Sequence, residues 1–239
     1  MVRLSRNDIE QIAERILVQY RKLPEVQKKK MYRVDPELLL TKVLGLNIEY
    51  GHLSIDGSIL GLTSFEEVEV EVFDYTDMET FISLDGNTVI IEEDLHNDST
   101  QIGRFNFTLM HEGGHQIFKR LFPNEYGCKK SNASPVHYHT YNSEKNKPIK
   151  DWEEWQANTL AAAILLPKDL IDYGMFLFGL GKKIKCLNRI TNFETYQKFS
   201  ALADFLGASK SALAIRMKQL NLLEKEYLDN PLAIMDIYA

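Results

Sequence analysis

Between Met110 and Gln116 the chain reads His111-Glu112-Gly113-Gly114-His115. Histidines four residues apart on a helix lie on one face about one turn apart, so two imidazoles can converge on a single ion. Glu112, between them in sequence, projects to the side of the pair, where it can accept a proton from a water held at that ion. Zinc suits such a site, because it takes neutral imidazole readily and keeps an open position for water in catalytic centres. Phe105, Phe107, Leu109, Met110, Ile117 and Phe118 flank the motif and set it on a packed helix, rather than on a surface helix with two ordinary histidines. Two consecutive glycines oppose helix formation by about 1 kcal/mol each relative to alanine. Close approach of another backbone element beside the ion would account for them.

Two imidazoles leave the ion short of a ligand. A third histidine in the metzincin manner requires Gly at 118 and His at 121, and these positions hold Phe118 and Leu121. The remaining source is a carboxylate from a following helix. A helix opening at Asp151 offers Glu153 and Glu154. Glu154 shares its face with Ala157, Asn158, Ala161 and Leu165, and Glu153 with Gln156, Ala157, Leu160 and Ile164. The small side chains on the Glu154 face would let this helix approach the histidine helix closely. Asp151-x-x-Glu154 also fits a capping box, which needs no metal. Spacing alone leaves both glutamates open.

The segments FTLMHEGGH (107–115) and EWQANTLAAAILLP (154–167) resemble the paired motifs of the ImmA/IrrE family of metallo-endopeptidases. That family carries F-T-[apolar]-x-H-E-x-G-H followed by E-x-x-A-N-x-F-A-x-x-L-L-x-P. Here Gly113 replaces the usual apolar residue and Leu160 the usual aromatic one. The resemblance implies that His111, His115 and Glu154 bind zinc and that Glu112 is the catalytic glutamate. It further implies a zincin-like core and limited proteolysis of a regulatory protein. The substrate class so implied is a helix-turn-helix transcriptional repressor, often one encoded on a mobile element.

Local signals mark several of the helices and strands around these residues. Ser5 and Asp8 open an amphipathic helix, and Asp35-Pro36 opens a second that Gly45 stops. From Leu46 to Glu92 the pattern shifts to short alternating or β-branched runs separated by turn signals such as Asp85-Gly86-Asn87, which predicts a small, mostly antiparallel sheet. Residues 99–121 return to helix, a polar loop is expected from Asn124 to about Lys150, and the remainder reads as helical. The expectation is an α+β fold, with a metallopeptidase domain over 1–167 and a C-terminal helical segment over 168–239 that packs with it or forms an appendage.

Composition narrows the function. The formal net charge is -6 and the pI about 5.6, so no overall field draws the chain to nucleic acid or anionic lipid. Two cysteines, Cys128 and Cys186, are too few for a disulfide framework and are expected as free thiols. No apolar run is long enough to span a bilayer and the N-terminus lacks a signal-peptide core, so a cytoplasmic protein is expected. The segment FSALADFLGASKSALAIRMKQLNLL resembles a helix-turn-helix, but its second helix offers mainly Lys210, Arg216 and Lys218, which favours a packing or docking unit over a DNA reader. His137-Tyr138-His139 is read as a solvated loop, with a second metal site or a substrate contact as the alternative. Tyr126, Tyr138 and Tyr141 are candidates for stabilising an oxyanion, and Asn158 for supporting a ligand. The competing function is a non-proteolytic, zinc-containing regulator that binds a repressor or toxin partner.

Overall fold

The computed structural model describes residues 2–29, 32–74, 78–126, 136–140 (as backbone) and 152–233. Local signals act first. The Ser5 hydroxyl accepts the Asp8 amide at 3.2 Å while the Asp8 carboxylate accepts the Ser5 amide at 2.9 Å, a reciprocal cap that opens α1 (Arg6–Tyr20). After α2 (Pro24–Lys29), Asp35 accepts the Leu38 amide at 3.0 Å and Pro36 begins α3 (Pro36–Leu38). The turn that follows is wide, with the Leu44 amide reaching back five residues to the Leu39 carbonyl.

Five strands come next: β1 (Asn47–Gly51), β2 (Ile59–Ser64), β3 (Glu67–Phe73), β4 (Glu79–Asp85) and β5 (Thr88–Glu92). They do not form one continuous sheet. β1, β5 and β2 stand in that order, and β6 (Val136–Thr140) adds beyond β2. β1 pairs with β5 in parallel, whereas β2 is antiparallel to both β5 and β6. β3 and β4 make a separate hairpin whose inward residues Val68, Val70, Val72, Ile82 and Leu84 cluster with Leu53, Leu62 and Ile90. Leu62 therefore faces the hairpin, and its neighbours Gly61 and Thr63 face the other way by the two-residue pleat of a strand.

That other face is covered by a helix. After α4 (Glu93–Asn97) and a tight turn, α5 (Ile102–Leu121) is buried from Thr108 through Phe118. The Gln116 side-chain amide pins it to β2, donating to Thr63 Oγ1 at 2.8 Å and to the Ser64 carbonyl at 2.7 Å. α6 (Trp152–Leu165) follows, with Ala157, Leu160, Ala161, Ala163 and Ile164 all buried.

The chain divides into two compact units, one of Met1–Met31 with Asp35–Ile164, the other of Tyr32–Val34 with Leu165–Ala239. The second holds α7 (Lys168–Leu177), β7 (Ile184–Leu187), α8 (Phe193–Leu206), α9 (Lys210–Gln219) and β8 (Leu223–Glu226). Gly207, at φ 64°, supplies the left-handed turn out of α8, and the Ser209 hydroxyl caps the Ala212 amide at 3.1 Å. Arg216 of α9 points inward: it is 1% exposed and donates to the Leu166 carbonyl at 3.0 Å. Lys218 is paired with Glu226 at 3.0 Å.

The fold is thus mixed α+β. The sheet region is mostly antiparallel, apart from the β1–β5 pair. Two expectations need correction. The stretch from Asn124 to Lys150 is not loop throughout, since it contains β6, and the remainder after α6 is not all helix, since β7 and β8 pair in parallel. Asp151, Cys128 and Tyr141 lie outside the described residues. Among the described residues no helix is long and apolar enough to cross a membrane.

Candidate metal centre

α5 brings His111 and His115 to one face, and α6 lays Glu154 across it. The two Nε2 atoms are 3.0 Å apart, Glu154 Oε2 lies 3.2 Å from His111 Nε2, and Glu154 Oε1 lies 3.3 Å from His115 Nε2. Bonds of the length zinc makes to imidazole and carboxylate, arranged tetrahedrally, set ligand atoms about 3.3 Å apart. His111 is fully buried and His115 nearly so, while the Glu154 side chain is 36% exposed, so the cluster opens on the carboxylate side.

Hydrogen bonds on the far side of each ring fix what faces the centre. His111 Nδ1 is 3.1 Å from Asn158 Oδ1, an atom that can only accept, so this nitrogen carries the proton. His115 Nδ1 is 2.7 Å from the Tyr126 hydroxyl, which itself lies 3.3 Å from the Glu153 carbonyl oxygen. A hydroxyl that donates to a carbonyl accepts from the imidazole, so His115 also carries its proton on Nδ1. Both Nε2 lone pairs then point at one another and at a carboxylate. Burial pushes the His111 pKa down, which favours this neutral form. Such a donor set suits a cation with nitrogen and oxygen ligands, and zinc fits it.

Glu112 is fully buried, and neither of its oxygens has a hydrogen-bond partner among the described residues. Desolvation first, and the Glu154 charge second, push its pKa well above the ordinary glutamate value. A dication nearby would pull it back down by direct attraction. β2 packs directly against this side chain. A Cβ on Gly61 would lie 3.1 Å from both Cγ and Oε1 of Glu112 and 2.8 Å from Thr108 Cγ2.

The glycine pair has two causes. A Cβ on Gly114 would meet the backbone of Ala157 in α6, 3.3 Å from its oxygen and 3.4 Å from its Cα, so this glycine is what lets the two helices touch. Gly113 packs instead on a side chain, with Leu40 Cδ2 only 2.5 Å from the place of its missing Cβ. Backbone approach thus accounts for one glycine and side-chain packing for the other.

The structure brings together His111, His115 and Glu154 and leaves the Glu153 carboxylate out of the cluster, although Glu153 is itself buried. Asn158 touches His111, as the spacing had suggested. Tyr126 does not face the open side of the centre; it is 3% exposed and bonded behind His115. His137, Tyr138 and His139 lie in β6, in register with Thr63, Leu62 and Gly61. Sequence reasoning missed Gly61 and the placement of Tyr126, and only a lone glycine in a strand pattern hinted at the first. It also missed a second cluster, His52, Glu92 and Asp94, beside a cavity of about 370 Å³. There Glu92 Oε1 meets His52 Nδ1 at 2.9 Å and Oε2 accepts the Leu53 amide at 2.8 Å, which ties the chain after β1 to the end of β5. The bond to Glu92 raises the His52 pKa.

No profile of a known protein family matches the chain, and no curated protein matches it.

Proposed function

We propose that this chain is a zinc-dependent endopeptidase with a zincin-like core. The observation that carries the reading is the convergence of His111 Nε2, His115 Nε2 and a Glu154 oxygen at 3.0–3.3 Å, with an uncompensated buried glutamate on the same helix. The motif resemblance to the ImmA/IrrE family points the same way, and through it the substrate class is a helix-turn-helix repressor cut at a limited site.

Zinc held by these three side chains would polarise a scissile carbonyl and bring the pKa of a water to about 7. The rest is done by the chain. Glu112, as carboxylate, takes the proton from the attacking water, and its burial raises its affinity for that proton. Held on an oxygen with no competing donor among the described residues, the proton is then delivered to the leaving amine. Asn158 and the α5–α6 packing hold the imidazoles and Glu154 in place, and the open side at Glu154 admits the peptide.

The test compares wild type with Glu112→Gln. Both are assayed for bound zinc and incubated with the helix-turn-helix protein encoded beside the gene. Equal zinc with cleavage by wild type alone supports the endopeptidase. Tight binding of an intact partner by both proteins supports the non-proteolytic regulator instead.

A further inference from the structure

Tyr126 lies eleven residues beyond His115, past the end of α5, yet its hydroxyl returns to the back of that histidine. The return is built by a short turn. The Tyr126 amide donates to the Phe122 carbonyl at 2.9 Å, and Lys119 Nζ donates to the carbonyls of Pro123 and Tyr126, both at 3.1 Å. The ring is then clasped by Phe118 and Phe65, at centroid distances of 5.5 and 6.2 Å. Inside that pocket the hydroxyl meets His115 Nδ1 at 2.7 Å and the Glu153 carbonyl at 3.3 Å.

The second partner matters most. Glu153 is the residue before Glu154, so one hydroxyl joins a histidine of α5 to the backbone that presents the carboxylate of α6. The bond from His115 fixes the tautomer and the angle of the ring. The bond to Glu153 fixes the height of the first turn of α6.

We propose that Tyr126 is a positioning residue for the metal centre, holding His115 and Glu154 in mutual register through a single hydroxyl. This rests on the zinc reading above. Partners behind a metal-bound histidine are typically worth about 10- to 100-fold in metal affinity.

Tyr126→Phe keeps the ring between Phe118 and Phe65 and removes only the oxygen. Zinc affinity is measured by competition with a chromogenic chelator, melting temperature is taken on metal-free protein, and the visible spectrum is recorded on cobalt-substituted protein. The expected result is a loss of about 10- to 100-fold in zinc affinity, a changed cobalt spectrum and a metal-free melting temperature close to wild type. A packing role alone would lower the metal-free melting temperature and leave zinc affinity and the cobalt spectrum unchanged; that outcome overturns the proposal. So does a variant indistinguishable from wild type in all three measurements. If wild type itself binds no zinc, the metal reading fails and this role with it. Tight binding by wild type with undiminished binding by the variant removes only the role of Tyr126.

Discussion

Gly61→Ala adds one methyl group at the point where β2 meets the proposed catalytic glutamate. In an ordinary strand the change is favourable by about 0.5–1 kcal/mol, because alanine loses less backbone freedom on folding. Here the new Cβ would stand 2.8 Å from Thr108 Cγ2 and 3.1 Å from Glu112 Cγ and Oε1. Carbon pairs settle at about 3.5–4.0 Å, so atoms must separate by about 0.5–1 Å. β2 is held by β5 on one side and β6 on the other, so the helix side chains give way. Thr108 lies one turn before Glu112 on buried α5, and their simplest escape turns the Glu112 carboxylate out of line. A misplacement near 1 Å costs about 100-fold in rate, equivalent to about 2.7 kcal/mol of transition-state stabilisation. Overpacking should also lower stability by about 1–3 kcal/mol. The three atoms nearest the new methyl belong to Thr108 and Glu112 and not to the proposed zinc ligands, so bound zinc should be unchanged. The assay is kcat/KM on the protein that wild type cleaves, with zinc content and melting temperature measured alongside. A zinc-loaded Gly61→Ala enzyme as fast as wild type would contradict this account, and so would loss of zinc in step with activity.

The adjacent glycines of α5 should behave differently from each other. Gly114→Ala pushes on the Ala157 backbone, and hence on the helix carrying Glu154, and should weaken zinc binding about tenfold. Gly113→Ala pushes on Leu40 and should lower the melting temperature without changing zinc affinity. Calorimetry and chelator competition separate the two. In metal-free protein, the folded-state pKa of Glu112 lies above its unfolded value near 4.5. Folding therefore takes up a proton between the two values; the stability linked to this group is complete below pH 4.5 and is lost as pH rises through the raised value. Metal-free Glu112→Gln should accordingly melt above metal-free wild type at pH 7 and lose that advantage by pH 4, as followed by circular dichroism; parallel pH profiles for the two proteins would contradict this.

What could be read from the sequence was local in origin. The histidine pair follows from the geometry of a single helical turn, and the caps at Ser5 and Asp35 are bonds across three residues. Glu153 and Glu154 could not be separated that way. Both begin the same buried helix, both have small or apolar neighbours one turn on, and both turn out to be partly or wholly enclosed. The distinction lies in where α6 crosses α5, which Gly114 and Ala157 settle by contact. β6 was hidden for a related reason. Val136–Thr140 is only five residues long and sits among polar neighbours, and it becomes a strand by adding to an edge of β2 more than seventy residues away in sequence. β7 and β8, four residues each, likewise exist through pairing with each other. Tyr126 carries no periodic signature, because its role depends on a turn that doubles back on the helix before it.

The contacts around the centre share one feature, in that each concerns the meeting of α5 and α6. Gly114 removes the side chain that would hold the helices apart. Asn158 and Tyr126 place acceptors behind the two imidazoles, so both protons face outward and both lone pairs inward. Two lone pairs and a carboxylate within 3.3 Å repel one another unless a cation lies among them, and a buried glutamate without a donor among the described residues adds to the cost. A helix pair selected for stability alone would put apolar residues in place of these buried polar groups. The unfavourable arrangement is kept in place by packing at a distance from it: Leu40 against Gly113, Gln116 on β2, and Phe118 and Phe65 around Tyr126. Strain concentrated in a few polar groups and supported by an apolar surround is the physical pattern of a preorganised binding site.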